Sequence, residues 1–337
     1  MRRTNALALP AALAALALAA CSSTAEAPAE SGAAGEPIVI EHAFGETEVP
    51  AGVERVATVG ASTEDALLAL DVVPVIMPRI VWGSEESGMY RWTEERIDEL
   101  GAEPPALWDE TDGIDFEAIN AAEPELILAP YSGITQEDYE TLSSIAPTVA
   151  FPEAAWATPW RDTIRITGEA LGRSDDADAL LADLDQQIAD AAAAHPELEG
   201  KTSMFTFITA ADLGTIGYYA PDDARQAFLE ELGLETAPSV VELSETVDGF
   251  YGQVSAEQAD TFADVDVLFA YGDEALLTAM QADPLLSTIP AIARGSVVLL
   301  PDATPQAAAV SPPTALSLPW ALDDYAAQIA EAAAKVG

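Results

Sequence analysis

Two stretches of the chain share one ungapped pattern, 140 positions apart. Residues 117–131 read EAINAAEPELILAPY, and residues 257–271 read EQADTFADVDVLFAY. Each stretch begins two residues after a residue type that caps helices, Asp115 or Ser255, and continues as a short helix, a polar turn and an apolar strand ending in tyrosine. A repeated helix–strand unit at this distance predicts two similar lobes rather than one continuous domain. Two lobes enclose a cleft, where a ligand usually binds.

The first twenty residues have the layout of a secretory signal. Arg2 and Arg3 precede an apolar run at residues 6–20 that is too short to span a bilayer. The run ends in Leu-Ala-Ala-Cys, which resembles the bacterial lipobox, and Cys21 is the single cysteine of the chain. An ordinary signal peptide with an incidental cysteine is the alternative. We expect lipidation of Cys21 to anchor the mature chain to a membrane.

Composition and period divide the rest of the chain. Residues 21–36, after the signal peptide at 1–20, are rich in Ala, Ser, Glu, Pro and Gly, which predicts a flexible tether. Two stretches of helical period flank Gly172 and predict one helical segment, bent or continuous, that permits only modest rocking of the lobes. The expected parts are an N-terminal lobe at 37–157, a connecting helical segment at 158–195 and a C-terminal lobe at 196–337.

Short apolar runs alternate with stretches of helical period in both lobes. The runs expected to form strands lie at residues 54–59, 72–77, 126–129, 148–151, 203–209, 265–269 and 296–300. This alternation favours an α/β fold in which each lobe is a mostly parallel sheet flanked by helices.

The chain is strongly acidic. It carries 58 Asp and Glu against 13 Lys and Arg, a formal net charge of −45. This charge argues against nucleic acid as a partner and against adsorption on anionic lipid. It suits either solubility at a crowded surface or adaptation to high salt, where ions screen the repulsion.

Several short segments are spread over residues 38–334, each modest alone but specific in order and spacing. They include HAFG at 42–45, RVA at 55–57, EDALLAL at 64–70, IAPTV at 145–149, GEALGR at 168–173 and VSAE at 254–257. Together they resemble the class III solute-binding lipoproteins of bacterial ABC importers, the group that handles ferric siderophores, cobalamin and haem. The iron–siderophore group fits best, through the opening of the first lobe and the IAPTV run.

The resemblance implies two α/β lobes, joined by a long interdomain helix, with the ligand in the cleft between them. It implies an extracytoplasmic receptor, anchored through Cys21 at the outer face of the bacterial cytoplasmic membrane. This receptor would deliver a ferric siderophore to an ABC permease dimer and its ATPase. The chelate would hold the iron, so the protein would need no cofactor and no metal ligands. Cobalamin, haem and a ligand-free scaffold role are the alternatives, and a monomer is expected.

In the importers that this chain resembles, one glutamate on each lobe meets arginines of the permease. The matching positions are Glu117 and Glu257. The internal repeat supports this assignment, because equivalent charges on two lobes suit a dimeric permease with two equivalent pockets. The alternative is local: a carboxylate at the second helical position gains about 0.3–1 kcal/mol from the helix dipole.

Loops at the strand ends should line the cleft, and they are rich in aromatic residues and arginine. The candidates are Arg79, Trp82, Tyr90, Arg91, Trp92, Tyr131, Trp156, Trp160, Tyr218, Tyr219, Arg225, Tyr251 and Tyr271. Aromatic faces suit a bulky, partly apolar chelate, and arginine suits the oxygens around iron. Alternatively, each arginine pairs with a nearby carboxylate and each ring packs in a core. The net charge favours a neutral or cationic ferric hydroxamate over an anionic catecholate.

Enzymatic motifs are absent from the sequence. It contains no Gly-x-Ser-x-Gly, no His-Glu-x-x-His and no glycine-rich fingerprint after the first strand. Gly200-Lys201-Thr202 resembles the end of a phosphate loop, but His195 stands where that loop needs glycine. With His42 as the only other histidine, direct capture of Zn²⁺ or Mn²⁺ by several imidazoles is disfavoured.

Overall fold

The structure, a computed structural model, describes residues 36–111, 113–247 and 249–337. The signal peptide predicted at residues 1–20, the lipidation site Cys21 and the tether up to residue 35 lie outside the described residues. Among the residues that are described, no helix combines the length and the apolar character needed to cross a bilayer.

The first lobe opens with a hairpin and continues as alternating strands and helices. Its elements are β1 (Ile38–His42), β2 (Gly45–Val49), β3 (Val56–Thr58), α1 (Thr63–Ala69), β4 (Ile76–Pro78), α2 (Arg91–Leu100), β5 (Ala106–Trp108), α3 (Phe116–Ala121), β6 (Leu126–Ala129), α4 (Gln136–Ser143) and β7 (Thr148–Ala150). The central sheet has the order β5-β4-β3-β6-β7, with every neighbouring pair parallel. Its strands are short apolar runs, as expected for a sheet covered on both faces. The predicted α/β arrangement is confirmed.

Two helices, α5 (Trp160–Ala170) and α6 (Ser174–Ala194), connect the lobes. Gly172 adopts a left-handed backbone with φ 66° between them, so the predicted helical segment is bent rather than continuous. Arg161 near the start of α5 pairs with Asp185 in α6 at 2.7 Å, because the two helices run back along each other. Helix α5 packs against α1 of the first lobe.

The second lobe contains a mixed sheet. Its elements are β8 (Thr202–Thr209), β9 (Asp212–Tyr219), α7 (Ala224–Glu231), β10 (Glu235–Thr236), α8 (Pro238–Ser244), β11 (Tyr251–Ser255), β12 (Val267–Tyr271), α9 (Glu274–Ala282), α10 (Pro290–Arg294), β13 (Val297–Leu300), α11 (Pro305–Ala309) and α12 (Ser317–Ala333), with 3-10 turns at Pro196–Leu198, Ala256–Asp264 and Leu286–Thr288. The order is β11-β9-β8-β12-β13, with β10 beside β8. Strand β9 is antiparallel to β8 and β11, and the other pairings are parallel. The sequence predicts loops where β9 and β11 lie, and the structure corrects this.

The two repeated stretches occupy equivalent places in the two lobes. Each strand of the repeat, β6 or β12, is the fourth in the order of its sheet. Asp115 accepts a hydrogen bond from the backbone N–H of Ala118 (2.9 Å), and Ser255 accepts one from Glu257 (3.3 Å), so both predicted caps are present. The repeat found in the sequence therefore marks the half of the fold that the lobes share.

Contacts other than the connecting helices also join the lobes. Asp65 on α1 is fully buried and accepts hydrogen bonds from Trp92 Nε1 (2.7 Å) and Thr93 Oγ1 (3.0 Å) within the first lobe. It also accepts one from the hydroxyl of Thr314 in the second lobe. The rings of Trp92 and Trp320 lie 5.4 Å apart beside this contact. These buried contacts limit how far the lobes can separate.

Candidate ligand-binding cleft

Aromatic residues follow the carboxyl ends of several strands. Trp82, Tyr131 and Trp156 follow β4, β6 and β7 in the first lobe, and Tyr271 ends β12 in the second. Because the carboxyl ends of parallel strands meet at one edge of a sheet, loops there form the usual crevice of α/β folds. The two sheets therefore direct aromatic side chains toward the seam between the lobes.

Trp82 and Tyr271 meet across this seam. Their rings contact edge to face with centroids 5.7 Å apart, an arrangement that aromatic pairs prefer. Trp82 Nε1 donates to Asp302 Oδ1 of the second lobe (3.0 Å). The Tyr271 hydroxyl donates to Ser311 Oγ (2.7 Å), so both polar groups are satisfied while the rings remain between the lobes.

The antiparallel half of the second sheet adds two more tyrosines. Tyr219 and Tyr251 are direct partners across β9 and β11, so their side chains share one face, with ring centroids 5.4 Å apart. Tyr218 points to the opposite face because successive strand residues alternate. It is 2% exposed and packs near Phe262 in a core cluster. The structure therefore places Tyr218 in the core, although the sequence predicts it in the cleft.

Arg225 lies at the centre of these tyrosines. Its Cζ is 4.0 Å from the centroid of the Tyr219 ring, a cation–π contact. Both carboxylate oxygens of Asp223 accept hydrogen bonds from the guanidinium. Arg225 Nε donates to Oδ1 at 2.7 Å, and Nη2 donates to Oδ2 at 2.8 Å. Burial disfavours the charged form, but the hydrogen bonds and the charge of Asp223 outweigh this and raise the pKa of Arg225. The pair is thus an ionised, partly buried clamp.

The tyrosines around Arg225 are neutral. Burial raises the pKa of Tyr219 to about 12 and also raises the pKa values of Tyr131 and Tyr271, although the positive charge of Arg225 opposes each rise. Tyr131 belongs to the first lobe, so the field of Arg225 acts on it across the seam. Around Arg225 the seam therefore presents uncharged rings and hydroxyls beside one ion pair, and the Asp302 carboxylate lies beside Trp82.

Trp156 is an exposed aromatic residue beside this group. Its ring centroid lies 5.5 Å from that of Tyr131, and 51% of the residue is exposed. Its φ of 59° is unusual for a bulky residue, and its backbone N–H donates to the Ser132 carbonyl at 3.0 Å. This held backbone leaves a large apolar surface available to a ligand.

A cavity of about 490 Å³ opens beside Tyr271. Its lining is Phe207, Ile208, Thr209, Ala210, Tyr271, Gly272, Asp273, Ala275, Leu276, Pro301 and Asp302. It shares Tyr271 and Asp302 with the Trp82 contact, so the cavity adjoins the seam. Its volume falls in the range of small-molecule sites.

Several other predicted contact residues have local partners. Trp92 is only 3% exposed, so it lies in the core, and the half-buried ring of Tyr90 stacks on it at 4.5 Å. Arg79 donates to the Ser87 carbonyl (2.9 Å) in its own loop.

Arg91 begins a helix instead of lying in a loop, and Trp160 begins one where the sequence predicts the connecting helical segment. Arg91 opens α2, where its Nε lies 3.6 Å from a Glu85 oxygen, as the carboxylate-pairing alternative predicts. Trp160 opens α5, and the guanidinium of Arg161 lies 4.1 Å over its ring.

Three residues that the sequence reasoning missed support the seam: Asp223, Asp302 and Ser311. Asp223 had a local signal, since an Asp two residues before Arg225 at a helix start is both a cap and a salt-bridge partner. Asp302 and Ser311 had no such local signal. Trp82, the partner of Asp302, lies 220 positions away in the chain, and Tyr271, the partner of Ser311, lies 40 positions away.

Glu117 and Glu257 lie near the starts of their helical turns. Both are exposed, and each follows the cap of its repeat unit, Asp115 or Ser255. The structure thus gives the two carboxylates equivalent positions on the two lobes.

The seam supplies stacking surfaces, hydroxyl groups and one guanidinium. It can therefore hold a compact, partly apolar molecule with acceptor oxygens on its surface. In residues 36–111, 113–247 and 249–337, no group of three or more His, Cys, Asp or Glu side chains is arranged to hold a metal ion.

The fold and the seam define a two-lobed α/β substrate-binding protein. A family model described as periplasmic binding protein matches residues 56–304. The chain therefore belongs to the periplasmic binding protein family, and the resemblance to class III solute-binding proteins is confirmed. It is a transport receptor of the ABC importer type, not an enzyme, and membership places it outside the cytoplasm.

Individual relatives agree with this assignment. The chain is 26% identical over 264 residues to a probable siderophore-binding lipoprotein, YfiY of Bacillus subtilis (strain 168), covering 77% of this chain and 76% of that protein. The structure of PiaA from Streptococcus pneumoniae TIGR4 in complex with ferrichrome has 41% identity and a TM-score of 0.83, covering 89% of this chain and 100% of that one. A periplasmic solute binding protein from Mycobacterium smegmatis str. MC2 155 has 27% identity and a TM-score of 0.74, covering 88% and 99%.

Proposed function

We propose that this chain is a lipid-anchored receptor that binds a ferric hydroxamate siderophore between its lobes and delivers it to an ABC permease. The observation that carries this proposal is the convergence of neutral aromatic side chains from both lobes around the Arg225–Asp223 pair. Supporting it, similar proteins are described as a ferrichrome complex and as a siderophore-binding lipoprotein.

The chemistry of such a ligand fits the seam. Three hydroxamate anions cancel the charge of Fe³⁺, so the complex is a compact neutral body with acceptor oxygens on its surface. Tyr131, Tyr271 and Trp156 offer faces for its apolar parts, and the Arg225 guanidinium offers donors to its oxygens. The iron remains inside the chelate, and the protein needs no cofactor.

Titration of the mature chain with a panel of chelates tests the ligand. Tryptophan fluorescence is recorded with ferric ferrichrome, gallium ferrichrome, iron-free ferrichrome, cobalamin and haem. We expect saturable one-to-one binding of both metal-loaded forms, with at least tenfold weaker binding of the iron-free form, whose open conformer must be ordered on binding. The gallium complex separates true binding from quenching by iron. Binding of cobalamin or haem in place of ferrichrome would reassign the ligand.

Lipidation of Cys21 is the proposed anchor, supported by the lipobox-like Leu-Ala-Ala-Cys sequence. In a bacterial host, the Cys21→Ala variant should leave the membrane fraction, while the neighbouring Ser22→Ala variant should stay in it. Retention of Cys21→Ala on membranes would contradict the anchor.

Docking through Glu117 and Glu257 completes the proposed cycle. Their exposure and their equivalent positions after the caps of the repeat support it. A partner built from two like subunits can meet two like carboxylates with two like pockets.

A further inference from the structure

Asp223 is the closest charged neighbour of the arginine in the seam. It is only 6% exposed, and its Oδ1 and Oδ2 bind the Nε and Nη2 of Arg225 at 2.7 and 2.8 Å. Its Oδ1 also accepts the backbone N–H of Arg225 (3.0 Å), which caps α7. One carboxylate therefore fixes both the start of the helix and the plane of the guanidinium.

This geometry leaves one edge of Arg225 directed elsewhere. One face of the guanidinium covers the Tyr219 ring, and the Nε–Nη2 edge is bound to Asp223. The three N–H groups that Asp223 does not bind, two on Nη1 and one on Nη2, can serve the Tyr271 hydroxyl or a ligand oxygen. Arg225 can thus donate a hydrogen bond to a ligand without presenting an unbalanced charge.

The charges next to Arg225 cancel. The ionisable groups around it are Asp223, Tyr219 and Tyr271, with Tyr131 on the other lobe, and the carboxylate of Asp302 lies elsewhere in the seam, where it accepts from Trp82 Nε1. The three tyrosines are uncharged at neutral pH, because the ordinary pKa of tyrosine is about 10 and burial raises the pKa of each one further. Asp223 therefore cancels the one positive charge of this group.

We propose that Asp223 is a specificity-determining residue, which neutralises Arg225 so that the cleft selects uncharged ferric chelates and rejects anionic ones. The inference rests on the proposed function and adds the reason for its ligand class. A bare guanidinium among neutral rings in a partly buried site would attract a triply charged ferric triscatecholate. The carboxylate of Asp223 offsets that attraction. A neutral trishydroxamate still accepts a hydrogen bond from Arg225.

The Asp223→Asn variant isolates the charge. Asparagine caps helices as well as aspartate does, and its side-chain oxygen can still accept one bond from Arg225. We expect the ratio of affinities, anionic ferric enterobactin over neutral ferrichrome, to rise at least tenfold at low salt. The rise should shrink in 1 M NaCl, because salt screens part of the attraction between the unpaired guanidinium and the anionic chelate. The Asp223→Glu variant keeps the charge and should keep the wild-type ratio.

Two further variants test the same charge effect independently of Asp223→Asn alone. Arg225→Gln leaves Asp223 unbalanced and should lower the same ratio, even if Asp223→Asn fails to fold. The double variant Asp223→Asn, Arg225→Gln restores neutrality and should return the ratio toward the wild-type value.

The outcomes separate the inference from the function on which it rests. Equal weakening of both chelates in Asp223→Asn, with the ratio unchanged in Arg225→Gln, would reduce Asp223 to a structural cap and overturn the inference alone. Failure of the wild-type chain to bind either chelate would instead overturn the proposed function.

Discussion

The first and second lobes place the same helix–strand unit at the fourth position of their sheets, yet the sheets differ beyond it. In the first lobe every neighbouring pair of the central sheet is parallel. In the second, β9 and β11 form an antiparallel half. The shared unit begins with the exposed glutamates Glu117 and Glu257, whereas the antiparallel half supplies Tyr219 and Tyr251.

This difference relates each half to a different partner. A dimeric permease needs two equivalent contacts, which a repeated unit provides. A single small chelate needs one polar centre, which only one lobe has to supply. The second lobe provides it with Arg225, and the first lobe adds the rings of Trp82, Tyr131 and Trp156. The two lobes are thus alike where the proposed docking surface lies, and they differ where the proposed ligand site lies.

The largest effect should come from removing the shared feature on both lobes. We expect Glu117→Ala, Glu257→Ala to reduce cellular uptake of the ferric chelate at least tenfold while the affinity for the chelate is unchanged. The matched control is Glu137→Ala, Glu274→Ala, which removes two other exposed first-turn glutamates. Equal, intermediate uptake by the single variants Glu117→Ala and Glu257→Ala would show that the two lobes contribute equally. Full uptake by the double variant would contradict the proposed docking surface.

The next largest effect should show the asymmetry of the ligand site. Arg225→Ala removes a charge-assisted hydrogen bond worth about 1.5–3 kcal/mol, so the dissociation constant of the ferric hydroxamate should rise tenfold or more. Arg91→Ala removes an exposed arginine of the first lobe. It should change the dissociation constant less than about twofold, because Arg91 makes only a weak surface ion pair. Equal losses in titration calorimetry would contradict the assignment of the polar centre to one lobe.

The lobes should also differ in their response to pH. Gln226 in α7 is buried and bonded to the Phe205 N–H and the Ser203 hydroxyl, whereas both oxygens of Glu64 in α1 are buried without a partner among the described residues. Burial, followed by the charge of Asp65, raises the pKa of Glu64 to about 8. Because its pKa is raised in the folded state, Glu64 stabilises the fold at low pH, and this contribution is lost as pH rises toward 8.

The Glu64→Gln variant tests this difference by denaturant unfolding at several pH values. The wild-type free energy of unfolding should fall between about pH 5 and 8, by at most about 1.4 kcal/mol per pH unit from this group. The variant should show a shallower fall, and Glu95→Gln, at an exposed position of α2, should follow the wild type. An unchanged slope in Glu64→Gln would contradict the buried, protonated carboxyl.

The smallest effect should come from the exposed aromatic residues. Trp156 is 51% exposed and Phe250 is 57% exposed. We expect Trp156→Ala to weaken chelate binding by about three- to tenfold, since partial stacking is worth about 1 kcal/mol, and Phe250→Ala to have a smaller effect. A larger loss of affinity in Phe250→Ala than in Trp156→Ala would place the ligand closer to the second lobe.

Much of the fold was predictable because it rests on local patterns. The repeat, the caps at Asp115 and Ser255 and the alternation of strand and helix are all readable over short windows. Loops that follow parallel strands then direct Trp82 and Tyr131 to the seam. These predictions needed no knowledge of distant contacts.

The antiparallel half was harder to predict, because its turn at residues 210–211 is Ala-Ala and lacks the glycine or asparagine that usually marks a hairpin. Without that strand, nothing separated Tyr218 from Tyr219, although strand alternation puts them on opposite faces. Trp92 looked like a cleft residue for a similar reason. Its burial depends on Asp65, 27 positions earlier, and on the second lobe.

The location of iron in crystals of the complex tests the central claim most directly. Crystals grown with ferric ferrichrome would be measured at the iron absorption edge. One anomalous peak per chain is predicted between the two lobes, next to Tyr131, Tyr271 and Arg225, with no protein atom as an iron ligand. A peak elsewhere on the surface, or no peak in crystals grown with saturating ferric ferrichrome, would contradict the account.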